Sequence, residues 1–341
     1  MLASNPFHGA GSCFMCGMSS PHQADNRFRP MEYADNQQRN AGPDQIYDCI
    51  IIGAGPGGLQ AAIYLGRYNR HVLVLDRGGG RTWHARRIEN VLTHHEISGR
   101  EIIERGIEQA KNFKVHFERK RVVAVQKNEH FLVSTGDAVY RSRFVIAATG
   151  VYDLFPPIGN VHQFLGTSYF TCVDCDGYKT TNKKLVVIGN SLHAHRLTLT
   201  MRQRYTKDIT FIPYQFNLPR SFVEELHVEG IALVQEKPIR ISGREAMEAI
   251  ELEGGGRIPC EAIMAYFGFK LNDDYLKGLD LKQDAVRFKY VTSSVYESSS
   301  SGLYIVGPLN TGHDQVIIAA GEGAAAALDI NKRLLDMIWD P

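Results

Sequence analysis

Glycine-punctuated apolar runs set the pattern of the chain. YDCIII (47–52) is a continuous apolar stretch of strand length, GAGPGG (53–58) a tight turn, and LQAAIYLGRY (59–68) a run with helical spacing. HVLVLD (71–76) is a second apolar strand, so the pattern predicts a β–α–β unit. A similar unit recurs, with KKLVVIG (183–189) as strand, SLHAHRLTLTMRQRY (191–205) as helix and DITFIPY (208–214) as strand. Between them HFLVSTGDAVYRSRFVIAATG (130–150) reads as a hairpin running into a buried strand. The chain closes with the strand GLYIVG (302–307) and a helix over GEGAAAALDINKRLLDMI (321–338). The expected class is α/β with two Rossmann-like nucleotide-binding domains, the first completed by C-terminal residues and the second inserted into it.

Composition sharpens this picture. With 341 residues the chain exceeds the ~100–200 typical of one domain. Residues 1–44, rich in Asn, Gln, Pro, Gly and Ser without apolar period, are expected to form a flexible tail. A formal net charge of +1 offers no field to draw the protein to nucleic acid or an anionic membrane, and no apolar run is long enough to span one. The first residues carry neither a basic start nor a continuous apolar segment, so the expected location is the cytoplasm. In a reducing compartment a Cys-x-x-Cys pair is more often redox-active or metal-binding than a structural staple.

Gly53, Gly55 and Gly58 form G-x-G-x-x-G between a strand and a helix, which suits close approach of backbone to a pyrophosphate. Asp76 follows Gly53 by 23 residues at the end of the next strand, where a carboxylate accepts hydrogen bonds from ribose hydroxyls. The motif itself does not separate FAD from NAD.

TCVDCDGYK (171–179) holds Cys172, Cys175 and Asp176. Two thiols two residues apart can close a small disulfide, and a neighbouring carboxylic acid can pass the proton that thiol–disulfide exchange needs. The alternatives are half a zinc site, two inert thiols, and for Asp176 a cap; no second well-spaced pair lies nearby to complete a metal site. At this point the chain resembles the low-molecular-weight thioredoxin reductases, flavoproteins with a Cys-x-x-Cys-Asp-Gly active site. IIGAGPGGLQAAIY resembles the family's FAD fingerprint, IENV its Glu-Asn segment, AATG its strand end before the linker, and AAGEGAAAALD the start of its last helix. The similarity spans about residues 46–335.

The resemblance implies a homodimer that binds FAD in a discontinuous domain, 45–155 plus 287–341, with a central domain at 158–284 carrying the cysteines. It implies FAD contacts from Gly53, Gly55, Pro56, Gly57, Gly58, Asp76, Asn90, Thr149, Gly150, Gly307, Gln315 and Val316, and no metal. It further implies that Cys175 faces the flavin, Cys172 attacks the partner's disulfide and Asp176 is the general acid. Thioredoxin or another disulfide protein is the implied partner.

The chain also departs from that family. Gly189, Ser191 and Ala194 stand in place of a second G-x-G-x-x-A, with a serine at the close-approach glycine. The next strand continues as Ile212, Pro213, Tyr214, Gln215 and Phe216, with neither an arginine for a 2′-phosphate nor an acid for a ribose. NADPH is therefore expected to be a poor donor. The resemblance turns to the pyridine-nucleotide-independent branch: ferredoxin-dependent, deeply rooted or diflavin-linked disulfide oxidoreductases. Ferredoxin or a like carrier is then the expected donor, and there is room for a second FAD near Tyr214, Phe216 and His193, unless these aromatics are plain core.

Gly307-Pro308 replaces the family's Gly-Asp, removing one flavin anchor, and His313, Asp314 and Gln315 resemble its Arg-Gln-Ala stretch. Trp339 is a candidate to cover the flavin or to make an ordinary contact. Cys13 and Cys16, with His8 and His22, give a weak metal or relay motif, while Cys49 and Cys260 are expected buried and inert. Three other functions stay open: a thiol oxidase using oxygen, an NADPH-dependent reductase with an atypical loop, and a non-catalytic redox sensor.

Overall fold

The computed structural model describes residues 45–286 and 288–339. Cys13, Cys16, His8, His22 and the expected tail lie outside the described residues.

The first apolar pattern becomes a parallel sheet. Ile46–Ile52 pairs in parallel with Val72–Leu75 on one side and with Val139–Ala147 on the other. His116–Glu118 extends one edge and Leu303–Ile305 the other, also in parallel. The expected hairpin is present: Phe131–Ser134 runs antiparallel to the start of Val139–Ala147, and Ala124–Lys127 pairs with Phe131–Ser134. The register of Leu303–Ile305 against Val145–Ala147 shows C-terminal residues completing the first sheet.

Two helices cover this sheet through glycine contacts. Pro56–Arg67 follows the glycine turn, and Val316–Trp339 crosses it. A Cβ on Gly323 would stand 2.0 Å from Gly57 O, and one on Gly57 would meet Ala319 O at 3.0 Å. The small residues of AAGEGAAAA thus let the two helix backbones approach closely. This helix starts five residues ahead of the expected Gly321, because Ile317 and Ile318 continue the turn.

The second pattern builds a five-stranded parallel sheet in the order Ala232–Leu233, Ile209–Pro213, Leu185–Gly189, Ala262–Tyr266, Tyr169–Phe170. Leu192–Arg204 is the expected helix. Apolar residues fill both faces of this sheet, with Ile188, Ile212 and Ile263 on one side and Val187, Phe211 and Met264 on the other. Burial on both faces explains why these strands are continuous apolar runs and not alternating ones.

Two crossings connect the lobes, Val151–Asp153 leaving and Phe269–Leu271 returning as an antiparallel pair. Tyr275 and Leu276 then pack in the first core beside Ile50 and Val145. The chain has therefore rejoined the first lobe near residue 271, ahead of the expected boundary at 284, since these apolar side chains complete that core.

Candidate active site

The glycine turn opens on a cleft in the first lobe. Gly53, Gly55, Pro56, Gly57, Asp76, Thr149, Gly150, Gly307, Gln315 and Val316 all line it. Gly53 has φ +105°, and a Cβ there would stand 2.6 Å from Ala148 O, so only glycine makes the turn. Gly58 does not line the cleft; its hydrogen leaves Gly53 O free of a Cβ that would sit 2.0 Å away. Gly55 differs, because a Cβ on it would meet only Ala148 O, at 3.8 Å. The space over Gly55 is the place where a pyrophosphate can approach.

The helix behind it begins with Pro56 at its first turn and has no side-chain cap. Its free N–H groups and dipole suit an anion. Asp76 accepts from Ala54 N at 3.0 Å and Gly78 N at 2.8 Å, tying the turn to the next strand. Thr149 Oγ1 donates to Asn272 O at 2.6 Å, fixing the second crossing against the cleft.

Cationic side chains line the same cleft, among them Arg77, Arg81, Lys120 and Arg121. Arg81 Nε is buried and has no hydrogen-bond partner among the described residues. An orphaned buried donor on the wall, an open space over Gly55 and an uncapped helix start together fit an anionic dinucleotide such as FAD. Arg81 was not among the expected contacts; the run Gly78-Gly79-Gly80, with φ of +82°, +79° and +112°, was the available sign that the chain turns there toward the cleft.

Cys172 and Cys175 form a disulfide. Cys172 caps a one-turn helix, Val173–Asp176, and its Sγ accepts from Cys175 N at 3.2 Å. Gln315 Nε2 stands 3.6 Å from Cys175 Sγ and 3.9 Å from Cys172 Sγ, and Asn90 Nδ2 donates to Gln315 Oε1 at 2.9 Å. The disulfide of the second lobe is thus at the Gln315 end of the first lobe's cleft. Asn90 reaches the site through Gln315.

An ionic junction flanks this contact. Lys179 Nζ pairs with Glu89 Oε2 at 2.8 Å and with Asp176 Oδ1 at 2.9 Å, and Tyr178 donates its hydroxyl proton to Glu89. The Lys179 and Tyr178 hydrogen bonds hold the Glu89 carboxyl down at about 2. Asp176 is therefore engaged by a lysine in this arrangement. Glu89 lies in the IENV segment and Tyr178 and Lys179 in TCVDCDGYK, but their pairing carries no sign in the sequence because nothing local in the chain announces a contact across lobes.

In the second lobe the first turn glycine is required, since a Cβ on Gly189 would lie 2.3 Å from Ala194 Cβ and 2.7 Å from Tyr266 O. Ser191 starts the helix with φ −157°, and its Oγ is buried without a partner among the described residues. Tyr214 is 7% exposed and belongs to the lobe's core, in edge contact with Phe267. His193 is exposed and stacks on Tyr266. His313 is exposed, and Trp339 ends the last helix at 78% exposure, away from the cleft of its own chain. Cys49 and Cys260 are buried as expected; burial pushes the Cys49 thiol well up and the Cys260 thiol to about 12.

The family model described as pyridine nucleotide-disulphide oxidoreductase matches residues 47–323. A thioredoxin reductase of Aquifex aeolicus is 28% identical over 311 residues, covering 86% of this chain and 94% of that relative. One from Listeria monocytogenes is 24% identical over 315 residues, covering 86% and 95%. The crystal structure of a thioredoxin reductase from Streptococcus pyogenes superposes with a TM-score of 0.78 at 23% identity, over 85% of this chain and 99% of that one, and shares the fold.

Proposed function

The chain belongs to the pyridine nucleotide-disulphide oxidoreductase family, an FAD-dependent oxidoreductase family, and from that premise we propose that it moves electrons between FAD, the Cys172–Cys175 disulfide and a protein disulfide, with a donor other than NADPH. The observation that carries the reading is the contact of Gln315 with both sulfurs at the end of the dinucleotide cleft. When bound, FAD supplies a carrier that takes up and gives back two electrons.

The residues have separable parts in this reading. Gly53, Gly55, Pro56, Gly57 and Gly58 with the helix start take the pyrophosphate, and Asp76 the ribose. Thr149, Gly150, Gly307, Gln315 and Val316 shape the wall leading to the disulfide, and Asn90 holds Gln315. Cys175, nearer to Gln315, faces the cofactor. Cys172 is the thiol that attacks the partner, because the Cys175 N–H on its sulfur favours the thiolate once the pair is reduced. Cys175 then displaces the mixed disulfide, and the leaving thiolate takes a proton. Once its bond to Lys179 opens, the Asp176 carboxylate takes the Cys175 thiol proton as Cys175 attacks and passes it to the leaving thiolate.

Thioredoxin is the proposed partner on the strength of the relatives' names. A second copy of the chain is supported by Ile317, Leu328, Leu335 and Ile338, an exposed apolar stripe on the last helix. Against NADPH stand Ser191 in place of a close-approach glycine and the absence of arginine and acid from 212–216. Ferredoxin is the proposed donor, and the cytoplasm the proposed location. Among the described residues no helix is long and apolar enough to cross a membrane. The test is to extract and count flavin per chain, then mix the anaerobic protein separately with NADPH and with reduced ferredoxin. Yellow protein bleached by ferredoxin and only slowly by NADPH is expected; rapid bleaching by NADPH overturns the donor assignment.

A further inference from the structure

A chain of charges that the preceding assignments leave unused runs along the Gln315 end of the cleft. The Lys289 side chain is 3% exposed, and its Nζ lies 2.6 Å from Asp314 Oδ1 and 5.2 Å from the centre of the Phe269 ring. Asp314 Oδ2 lies 3.7 Å from Arg81 Nη1, and Arg81 pairs through Nη2 with Asp153. Asp314 and Arg81 both line the cleft, whereas Lys289 stands behind them. Arg81 Nε is the buried donor without a partner among the described residues.

A lysine this deep in a protein is costly unless its partner is fixed. Here the partner is the residue next to Gln315, whose amide touches both redox sulfurs. A cofactor ring exchanging electrons with Cys175 must stand at this end. Reduction adds negative charge to such a ring, so a bare carboxylate at position 314 opposes reduction and a cation favours it.

We infer that Lys289, Asp314 and Arg81 form a charge-setting unit, in which Lys289 is a positioning residue that neutralises Asp314 while the Arg81 guanidinium keeps a positive charge on the cleft wall beside the bound cofactor. This unit fixes how easily the flavin is reduced. The inference rests on the FAD reading above and adds to it which side chains tune the cofactor.

The test measures the flavin reduction potential of the full-length protein against a reference dye for the wild type, Lys289→Met, Asp314→Asn and the double variant, with thermal melting as the control for folding. Lys289→Met is expected to shift the reduction equilibrium toward the oxidised flavin by at least tenfold, ~30 mV for a two-electron couple. Asp314→Asn shifts it the opposite way, and the double variant falls between the two. If Lys289→Met does not fold, Asp314→Asn alone decides, since a potential that does not rise overturns the inference. Yellow, folded variants with equal potentials, or single variants moving together, overturn it while leaving the FAD reading intact. A colourless wild type that takes up no FAD ends both.

Discussion

The amide nitrogen of Gln315 stands 3.6 Å from Cys175 Sγ, so a residue of the dinucleotide lobe touches the sulfur of the disulfide lobe. The same nitrogen is 3.9 Å from Cys172 Sγ, while Asn90 pins the amide oxygen from the other side. The disulfide is thereby held at one end of the cleft, where proximity replaces a diffusive search.

The two cysteines are expected to differ once reduced. Because Cys175 N donates to Cys172 Sγ at 3.2 Å, the Cys172 thiolate is the better stabilised. Alkylation of the dithiol form followed by mass spectrometry should label Cys172 first, Cys175 more slowly, and Cys49 and Cys260 not at all until the chain unfolds, since burial raises both of those thiols. Cys172→Ser should keep the long-wavelength thiolate–flavin absorbance that Cys175→Ser loses. Full disulfide-reducing activity in both variants contradicts the assigned roles.

The Glu89–Lys179 junction gives a dependence on acid. Glu89 falls from an ordinary carboxyl value of 4.5 to about 2 through its bonds to Lys179 and Tyr178. A depressed carboxyl contributes stability above the unfolded value, and that contribution disappears as pH falls from 4.5 toward about 2. The urea midpoint of the wild type should exceed that of Glu89→Gln near neutrality, and the gap should close through that window. A gap that is constant with pH sinks the assignment, and added salt should narrow it because the group is partly exposed.

Glu322 runs the other way. It is 2% exposed, and burial raises its carboxyl even though Gly307 N and Asn310 Nδ2 both donate to Oε2. A raised carboxyl contributes stability below its unfolded value that is lost as pH rises through the raised one. Glu322→Gln keeps an acceptor without the charge, so it should melt at or above the wild type near pH 8 and level with it near pH 4. Glu322→Ala leaves two buried donors unpaired and should lose ~1–3 kcal/mol. A Glu322→Gln variant markedly weaker at pH 8 than at pH 4 would falsify this account.

Much of this architecture was legible in the chain. Ile50–Ile52, Val72–Leu75 and Val186–Ile188 are apolar throughout because both faces of each strand are covered, and Gly53 and Gly58 mark the turn because a Cβ on either would strike backbone, while Gly55 leaves open space above it. The helix Gly99–Lys111 went unread although Ser98 and Glu101 signal its start, with Ser98 Oγ accepting from Glu101 N. The contacts of Glu89 with Lys179, of Lys289 with Asp314 and of Gln315 with the sulfurs could not be read, because each joins segments 25 to 143 residues apart and polar side chains carry no periodic sign of their partner.

The second lobe offers the sharpest test of the donor. Gly189 cannot be replaced, since its Cβ would strike Ala194 and Tyr266, so the tight turn of a nucleotide loop survives there. Ser191 sits in extended backbone that any residue adopts, and its hydroxyl caps nothing, so the obstacle it raises is its Cβ and an unpaired buried oxygen. Ser191→Gly should leave stability within ~1 kcal/mol, the ordinary entropy cost of a glycine. It should also tighten NADPH binding several-fold by calorimetry, because backbone can then approach a pyrophosphate. Bleaching by NADPH should nevertheless stay slow, since 212–216 still holds no guanidinium for the 2′-phosphate. If the wild type already binds NADPH as tightly as Ser191→Gly does, the serine is no barrier, and the case for a different electron donor falls with it.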